Sequence, residues 1–184
     1  MQKKSLLRKK LSRSKIDGIL VTDIVNVRYL TGFTGSSGYA VLTDKHAVFV
    51  TDFRYEEQAQ EEVRRFHIEI EHSERTKEIK DIVHELGIRN LGFEAGSVSY
   101  ALFNKLQKRK IRLKPLTDTV ESLRIVKSTF ELDCIKNAVR RAEKAFRKLF
   151  ALPGVAARLS RQRRRSAVVR RANSASGAWS VTWA

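Results

Sequence analysis

Apolar and polar positions alternate in a way that divides the chain into short buried runs and amphipathic helices. Leu6, Leu7 and Leu11 share a stripe among basic residues, which predicts a surface helix over residues 3–15. Gly18 then opens Ile19-Leu20-Val21, a continuous apolar run of the kind a buried strand carries. Residues 23–37 mix aromatics with Gly, Ser and Asn and predict a shaped loop or a short helical turn. Two further strand-like runs, residues 38–43 and 47–51, flank Asp44-Lys45-His46, a connection that suits an antiparallel hairpin.

Asp52 is placed to cap the next helix, whose early turns carry Glu56, Glu57, Glu61 and Glu62, a charge pattern that favours the helix dipole. Residues 66–71 alternate strictly, as a half-buried strand does. Ile79, Ile82, Val83 and Leu86 fall at helical spacing over residues 76–86, and Gly87 stops that helix. Leu91-Gly92-Phe93 predicts a strand, residues 97–108 a helix, and residues 111–115 a strand ended by Pro115. Ser128 and Glu131 have capping-box spacing. Behind them Leu132, Ile135, Val139, Ala142, Phe146 and Leu149 step by three and four residues, which makes one apolar stripe on a long helix. Alternating strands and helices with one hairpin predict a layered α/β domain with a mixed sheet.

Length and composition change this picture little, but charge does. At 184 residues and 42% hydrophobic content the chain can build a substantial core. Its single cysteine, Cys134, fits no internal disulfide framework and points to a reducing cytosol. Neither a membrane span nor a secretory leader is expected. The net charge of +17 is concentrated at the ends. Residues 1–15 hold seven basic groups and no acid, and residues 151–184 hold seven arginines and no acid. Between them, 23 basic residues face 20 acidic ones, so the middle is an ordinary, mildly basic domain. The Arg-rich end has no RNA-binding signature and no interleaved stacking aromatics; non-specific nucleic-acid binding through the basic ends is all it predicts.

The chemistry-bearing residues are few. The glycine run Gly32–Gly38 lacks the Lys-Ser/Thr of a phosphate loop and precedes a strand rather than a helix, so it reads as a structural turn. Asn26, Arg28 and Tyr29 cluster before that run, and Asp52, Arg54 and Tyr55 cluster after the hairpin. Each set offers a polar handle, a guanidinium and a phenol, which suits a carboxylate or a peptide carbonyl. On the residues alone, a helix cap with structural ion pairs is the preferred reading of each set. The four histidines lack metal-binding spacing, Cys134 reads as a semi-buried thiol, and no catalytic or metal-ligating residue is assigned.

Residues 25–38, VNVRYLTGFTGSSG, resemble the N-terminal domain of Xaa-Pro aminopeptidases and prolidases, the creatinase-type N-terminal domain. The resemblance continues through residues 51–59, TDFRYEEQA, and Leu91-Gly92-Phe93-Glu94. It resumes at residues 120–128, VESLRIVKS, which look like the linker into a catalytic domain. It implies a three-layer αβα domain with a mixed sheet over residues 1–122 and a linker and first helix of a truncated peptidase domain over 123–152; composition, rich in Arg, Ser and Ala with little periodicity, predicts a disordered tail over 153–184.

Intact members are implied to add a pita-bread domain with two divalent metals, Mn, Co or Zn, on two Asp, one His and two Glu. The tail here contains no Asp, Glu or His, so no cofactor is expected in this chain. The composition break near Ala156 reads as an out-of-frame or truncated gene end. The resulting expectation is a cytoplasmic, truncated Xaa-Pro aminopeptidase-like protein without peptidase activity of its own. Its domain would mediate homo-oligomer contacts and wall an active site, with Asn26, Arg28, Tyr29, Asp52, Arg54 and Tyr55 nearest the substrate or interface. A peptide substrate would be met only in an intact enzyme. The alternative is a stand-alone protein-interaction module.

Overall fold

The computed structural model describes residues 2–107 and 111–151. It divides into two compact units, one within Met1–Val126 and one within Lys127–Ala184. The first unit is built on a six-stranded sheet: β1 (Gly18–Val21), β2 (Tyr39–Thr43), β3 (Ala47–Thr51), β4 (His67–Ile70), β5 (Asn90–Glu94) and β6 (Arg112–Leu116), in the spatial order β4-β3-β2-β1-β5-β6. β2 runs antiparallel to both of its neighbours, and the other pairs are parallel. The hairpin foreseen around Asp44–His46 is the β2–β3 pair, with Leu42 opposite Ala47.

Strand periodicity sorts side chains onto two faces. Ile19, Val21, Ala40, Leu42 and Phe49 face one core, against α1 (Gln2–Arg13), α2 (Ile24–Thr31) and α3 (Glu56–Glu62), through Leu7, Leu11, Val27, Leu30 and Ala59. Leu20, Tyr39, Val41, Val48, Val50, Leu91 and Phe93 face the other, against α4 (Arg75–Glu85) and α5 (Tyr100–Gln107), through Ile79, Ile82, Val83 and Leu106. Helices therefore cover both faces of one mixed sheet, the three-layer αβα arrangement foreseen. β1 sits centrally and is buried along its whole length, which is why its sequence is a continuous apolar run rather than an alternating one.

Several local expectations change. Leu6 is exposed and only Leu7 and Leu11 enter the core, because positions i and i+4 share a helix face while i+5 has turned away. Of the loop or short helical turn expected here, residues 24–31 take the helical form and extend it to two turns. β-branched Ile24, Val25 and Val27 disguise it, and burial of Val27 and Leu30 outweighs their weak helix propensity. Asp23 caps its start by accepting from Val25 N at 2.8 Å, and Gly32 ends it at φ +88°, a left-handed conformation that favours glycine. The helix after Asp52 begins with a 3-10 turn, Phe53–Tyr55, and Asp52 caps that turn. Pro115 lies inside β6 rather than ending it, tolerated because β6 is an edge strand. Within the segment read as a linker, residues 121–125 form a short helix, α6 (Glu121–Ile125).

In the second unit, α7 (Thr129–Ala151) opens on the foreseen capping box. Ser128 N and Oγ donate to Glu131 Oε2 at 2.8 Å, and Glu131 N donates back to Ser128 Oγ at 3.3 Å. Its apolar stripe is exposed, from 43% at Leu132 to 60% at Phe146. Cys134 on this helix is exposed rather than semi-buried, since it lies off a stripe that is itself exposed. The tail expected to be disordered lies outside the described residues.

Candidate functional site

All six candidate residues follow the carboxyl ends of parallel strands. Asn26, Arg28 and Tyr29 lie on α2, just beyond β1, and Asp52, Arg54 and Tyr55 lie just beyond β3. In open α/β sheets this edge is where ligands are most often received. The two sets, however, meet very different surroundings.

Asn26 is wholly buried. One face of its amide donates from Nδ2 to Glu94 Oε1 at 2.7 Å and to Glu121 Oε1 at 2.5 Å. Its Oδ1 accepts from Arg124 Nη1 at 3.0 Å. Glu94, at the carboxyl end of β5 and only 5% exposed, also accepts from the backbone N–H of Thr22 at 2.7 Å and of Asp23 at 2.8 Å. Burial pushes its carboxyl above the usual range, and the three N–H groups aimed at it oppose that shift. Tyr29 donates its phenol proton to the Leu123 carbonyl at 2.8 Å. This set therefore ties α2 to β5 and to α6 instead of opening outward. Arg28 is exposed.

The second set is local. Arg54 grips Asp52 with both arms of its guanidinium, Nε to Oδ1 at 2.8 Å and Nη2 to Oδ2 at 2.9 Å. That grip holds the Asp52 carboxyl down to about 2. Tyr55 shares a hydrogen bond with Ser36 at 2.7 Å, and its ring meets Phe33 edge-on at 5.6 Å. The glycine run is a turn folded over these rings: a Cβ on Gly35 would lie 2.2 Å from Phe33 Cζ, so a larger residue would force the packed rings to shift. Glu62 on α3 pins the same turn, accepting from Thr34 N and Thr34 Oγ1 at 2.6 Å. Those bonds, with Gln58 and then the charge of Arg28, hold its carboxyl below the usual range.

Sequence reasoning did not single out Glu94, Glu121 or Arg124. The signal available was a glutamate closing an otherwise apolar strand, where a carboxylate is expensive unless several donors meet it. Tyr39 was missed as well: its hydroxyl is buried without a hydrogen-bond partner, burial raises its pKa far above the ordinary phenol value, and the Arg75 guanidinium lies 5.3 Å from its ring centre.

At the opposite end of the sheet a cleft of about 380 Å³ opens between Lys45-His46, His67 and Glu69 on β4, and Glu85 at the end of α4. It contains none of the six candidates. Among the described residues no group of three or more His, Cys, Asp or Glu side chains is placed to hold a metal ion, so they do not fit a dinuclear metal site. No helix among the described residues is long and apolar enough to cross a membrane.

Comparison with known proteins agrees with this architecture. The model of the creatinase/prolidase N-terminal domain matches residues 4–126. The uncharacterized peptidase YqhT of Bacillus subtilis is 41% identical over 154 residues, which cover 81% of this chain and 43% of that protein. The structure of an Xaa-Pro dipeptidase from Bacillus anthracis is similar with a TM-score of 0.78 and 34% identity, over 82% of this chain and 43% of the other. The N-terminal domain of the cytoplasmic peptidase PepQ from Mycobacterium tuberculosis is similar with a TM-score of 0.60 and 32% identity, over 66% of this chain and 98% of that domain. The chain thus spans less than half the length of the full-length relatives it matches. Its six-stranded mixed sheet, its two helical layers and its matched residues 4–126 place this chain in the creatinase/prolidase N-terminal domain family.

Proposed function

We propose that this chain supplies the N-terminal domain and the first following helix of an Xaa-Pro-type peptidase, a cytoplasmic hydrolase that needs divalent metals, and that the chain alone does not turn over peptide. One observation carries the reading: the likeness to a full-length relative covers 81% of this chain but only 43% of that protein. The domain's part in an intact enzyme is to wall the substrate site and to make contacts between subunits. The exposed guanidinium of Arg28 and the Asp52–Arg54–Tyr55 group suit such contacts, whereas Asn26 and Tyr29 serve them from inside the domain. The test is proline release from an Xaa-Pro dipeptide with added manganese. None is expected, and turnover that follows this chain through successive chromatographic steps would sink the reading.

A second reading, a stand-alone interaction module, is favoured by the exposed apolar stripe of α7. Light scattering after size exclusion separates the two readings in solution. Self-association lost on Val139→Glu supports the module, and a clean monomer with the native sequence counts against it.

A further inference from the structure

Three stretches of sequence far apart in the chain meet at one amide. Asn26 comes from α2, Glu94 from the end of β5, and Glu121 and Arg124 from α6, the last element of the first unit. An asparagine side chain has two N–H donors and one carbonyl. Here both kinds of group are committed: Nδ2 serves two carboxylates and Oδ1 serves one guanidinium. The orientation of the amide is therefore not arbitrary. Rotated by half a turn, it would set its carbonyl against Glu94 and Glu121 and its N–H groups against Arg124, three repulsive pairs.

Glu94 is the fixed point. Its two oxygens receive Thr22 N–H, Asp23 N–H and the Asn26 amide, three donors and no acceptor. The backbone donors stand at the capped start of α2 and cannot turn away. We propose that Asn26 is the positioning residue for the chain's departure from the domain: Glu94 holds its amide in one orientation, and that amide sets Glu121 and Arg124 and so fixes α6. Lys10 and Tyr29 add bonds to the same segment, Lys10 to Thr119 O and Ser122 Oγ and Tyr29 to Leu123 O, but these do not depend on the orientation of the Asn26 amide. The inference stands apart from the family reading, because it concerns how residues 121–126 are held, whatever follows them.

A glutamine at position 94 has nearly the same shape and half the accepting capacity. With its carbonyl on Thr22 and Asp23, its amide meets the Asn26 amide donor to donor. The flip that would relieve this breaks both bonds to α6.

Hydrogen exchange read by mass spectrometry on the full chain tests this. Glu94→Gln is expected to speed exchange of residues 121–126 by about tenfold, the scale of one buried hydrogen bond left without its partner. Peptides from β2 and β3 should keep native protection. Asn26→Ala should do the same. Glu121→Gln and Arg124→Met change only half-buried side chains on α6 and keep the test usable if position 26 or 94 does not tolerate substitution; each should speed the same segment and shift the Asn26 side-chain amide resonances. Tyr29→Phe, a purely structural loss on the same helix, should loosen residues 121–126 without moving those resonances. Unchanged exchange of 121–126 in Glu94→Gln with the sheet intact would overturn the proposal, as would unmoved Asn26 resonances in Glu121→Gln and Arg124→Met.

Discussion

Two stretches of this chain read almost alike: Asn26-Val27-Arg28-Tyr29 and Asp52-Phe53-Arg54-Tyr55. Each places a small polar side chain two residues before an arginine and three before a tyrosine, and each follows the carboxyl end of a strand in the parallel set. In the folded domain they do opposite things. The first buries its polar residue and joins it to partners 68, 95 and 98 residues away. The second stays near the surface, and its polar residue bonds an arginine two residues on. The same four-residue pattern is a long-range tie in one place and a local clip in the other. The difference lies in what packs above them: α2 is roofed by α6, while the 3-10 turn after β3 is left at the surface.

The sharpest way to break this comparison is to exchange the polar residues. Asn26→Asp puts a third carboxylate beside Glu94 and Glu121 and removes both donors, at an expected cost of about 4 kcal/mol at neutral pH. Asp52→Asn keeps the shape and an acceptor at the surface and should be the milder change by far. Urea denaturation of both variants measures this, and equal losses would erase the distinction.

A smaller contrast is expected between the two phenols. Tyr29→Phe should cost about 1 kcal/mol, because the Leu123 carbonyl loses a half-buried donor. Tyr55→Phe gives up a solvent-exposed bond to Ser36 and should cost about 0.5 kcal/mol or less.

The pH dependence of stability sharpens the comparison further, because the two carboxylates shift in opposite directions. Asp52 lies well below its reference value of 3.8, at about 2. Its contribution is present above pH 3.8 and is lost as pH falls through about 2. Relative to Asp52→Asn, the native chain should lose ground over that acid range. Glu94 is raised above its reference value of 4.5. The charge of Glu121 on α6 raises it further, while the Asn26 amide and the backbone N–H groups of Thr22 and Asp23 lower it. Its contribution is present below pH 4.5 and is lost as pH rises through the folded value. Relative to Glu94→Gln, the native chain should lose ground as pH climbs above 4.5. Parallel slopes for the two pairs would contradict the placement of one carboxylate in the core and the other at the surface.

Much of the fold was legible from periodicity. Strands β1 to β4, the hairpin, α4 and the capping box of α7 follow from apolar spacing, from Gly87 and from the Ser128–Glu131 pair, each of which acts within a few residues. What stayed hidden depends on distant partners. α2 is rich in β-branched residues and helical because Val27 and Leu30 are buried. α6 is five residues long, too short to carry a periodic signal, and is held by Lys10, Asn26 and Tyr29. The candidate site was half legible: the six residues do gather at one end of the sheet, but the buried carboxylate that accepts from Thr22, Asp23 and Asn26, Glu94, closes a strand that reads as plain core.

The sequence alone determined which segments are strands and helices wherever the apolar period is clear, and where the charge lies, because each of these is set by neighbours in the chain. Only the tertiary structure decided which of two matching Polar-x-Arg-Tyr patterns becomes a buried tie. Burial and hydrogen-bond satisfaction are properties of the packed layers, and a carboxylate at the end of β5 becomes an anchor only once α2 and α6 bring donors to it.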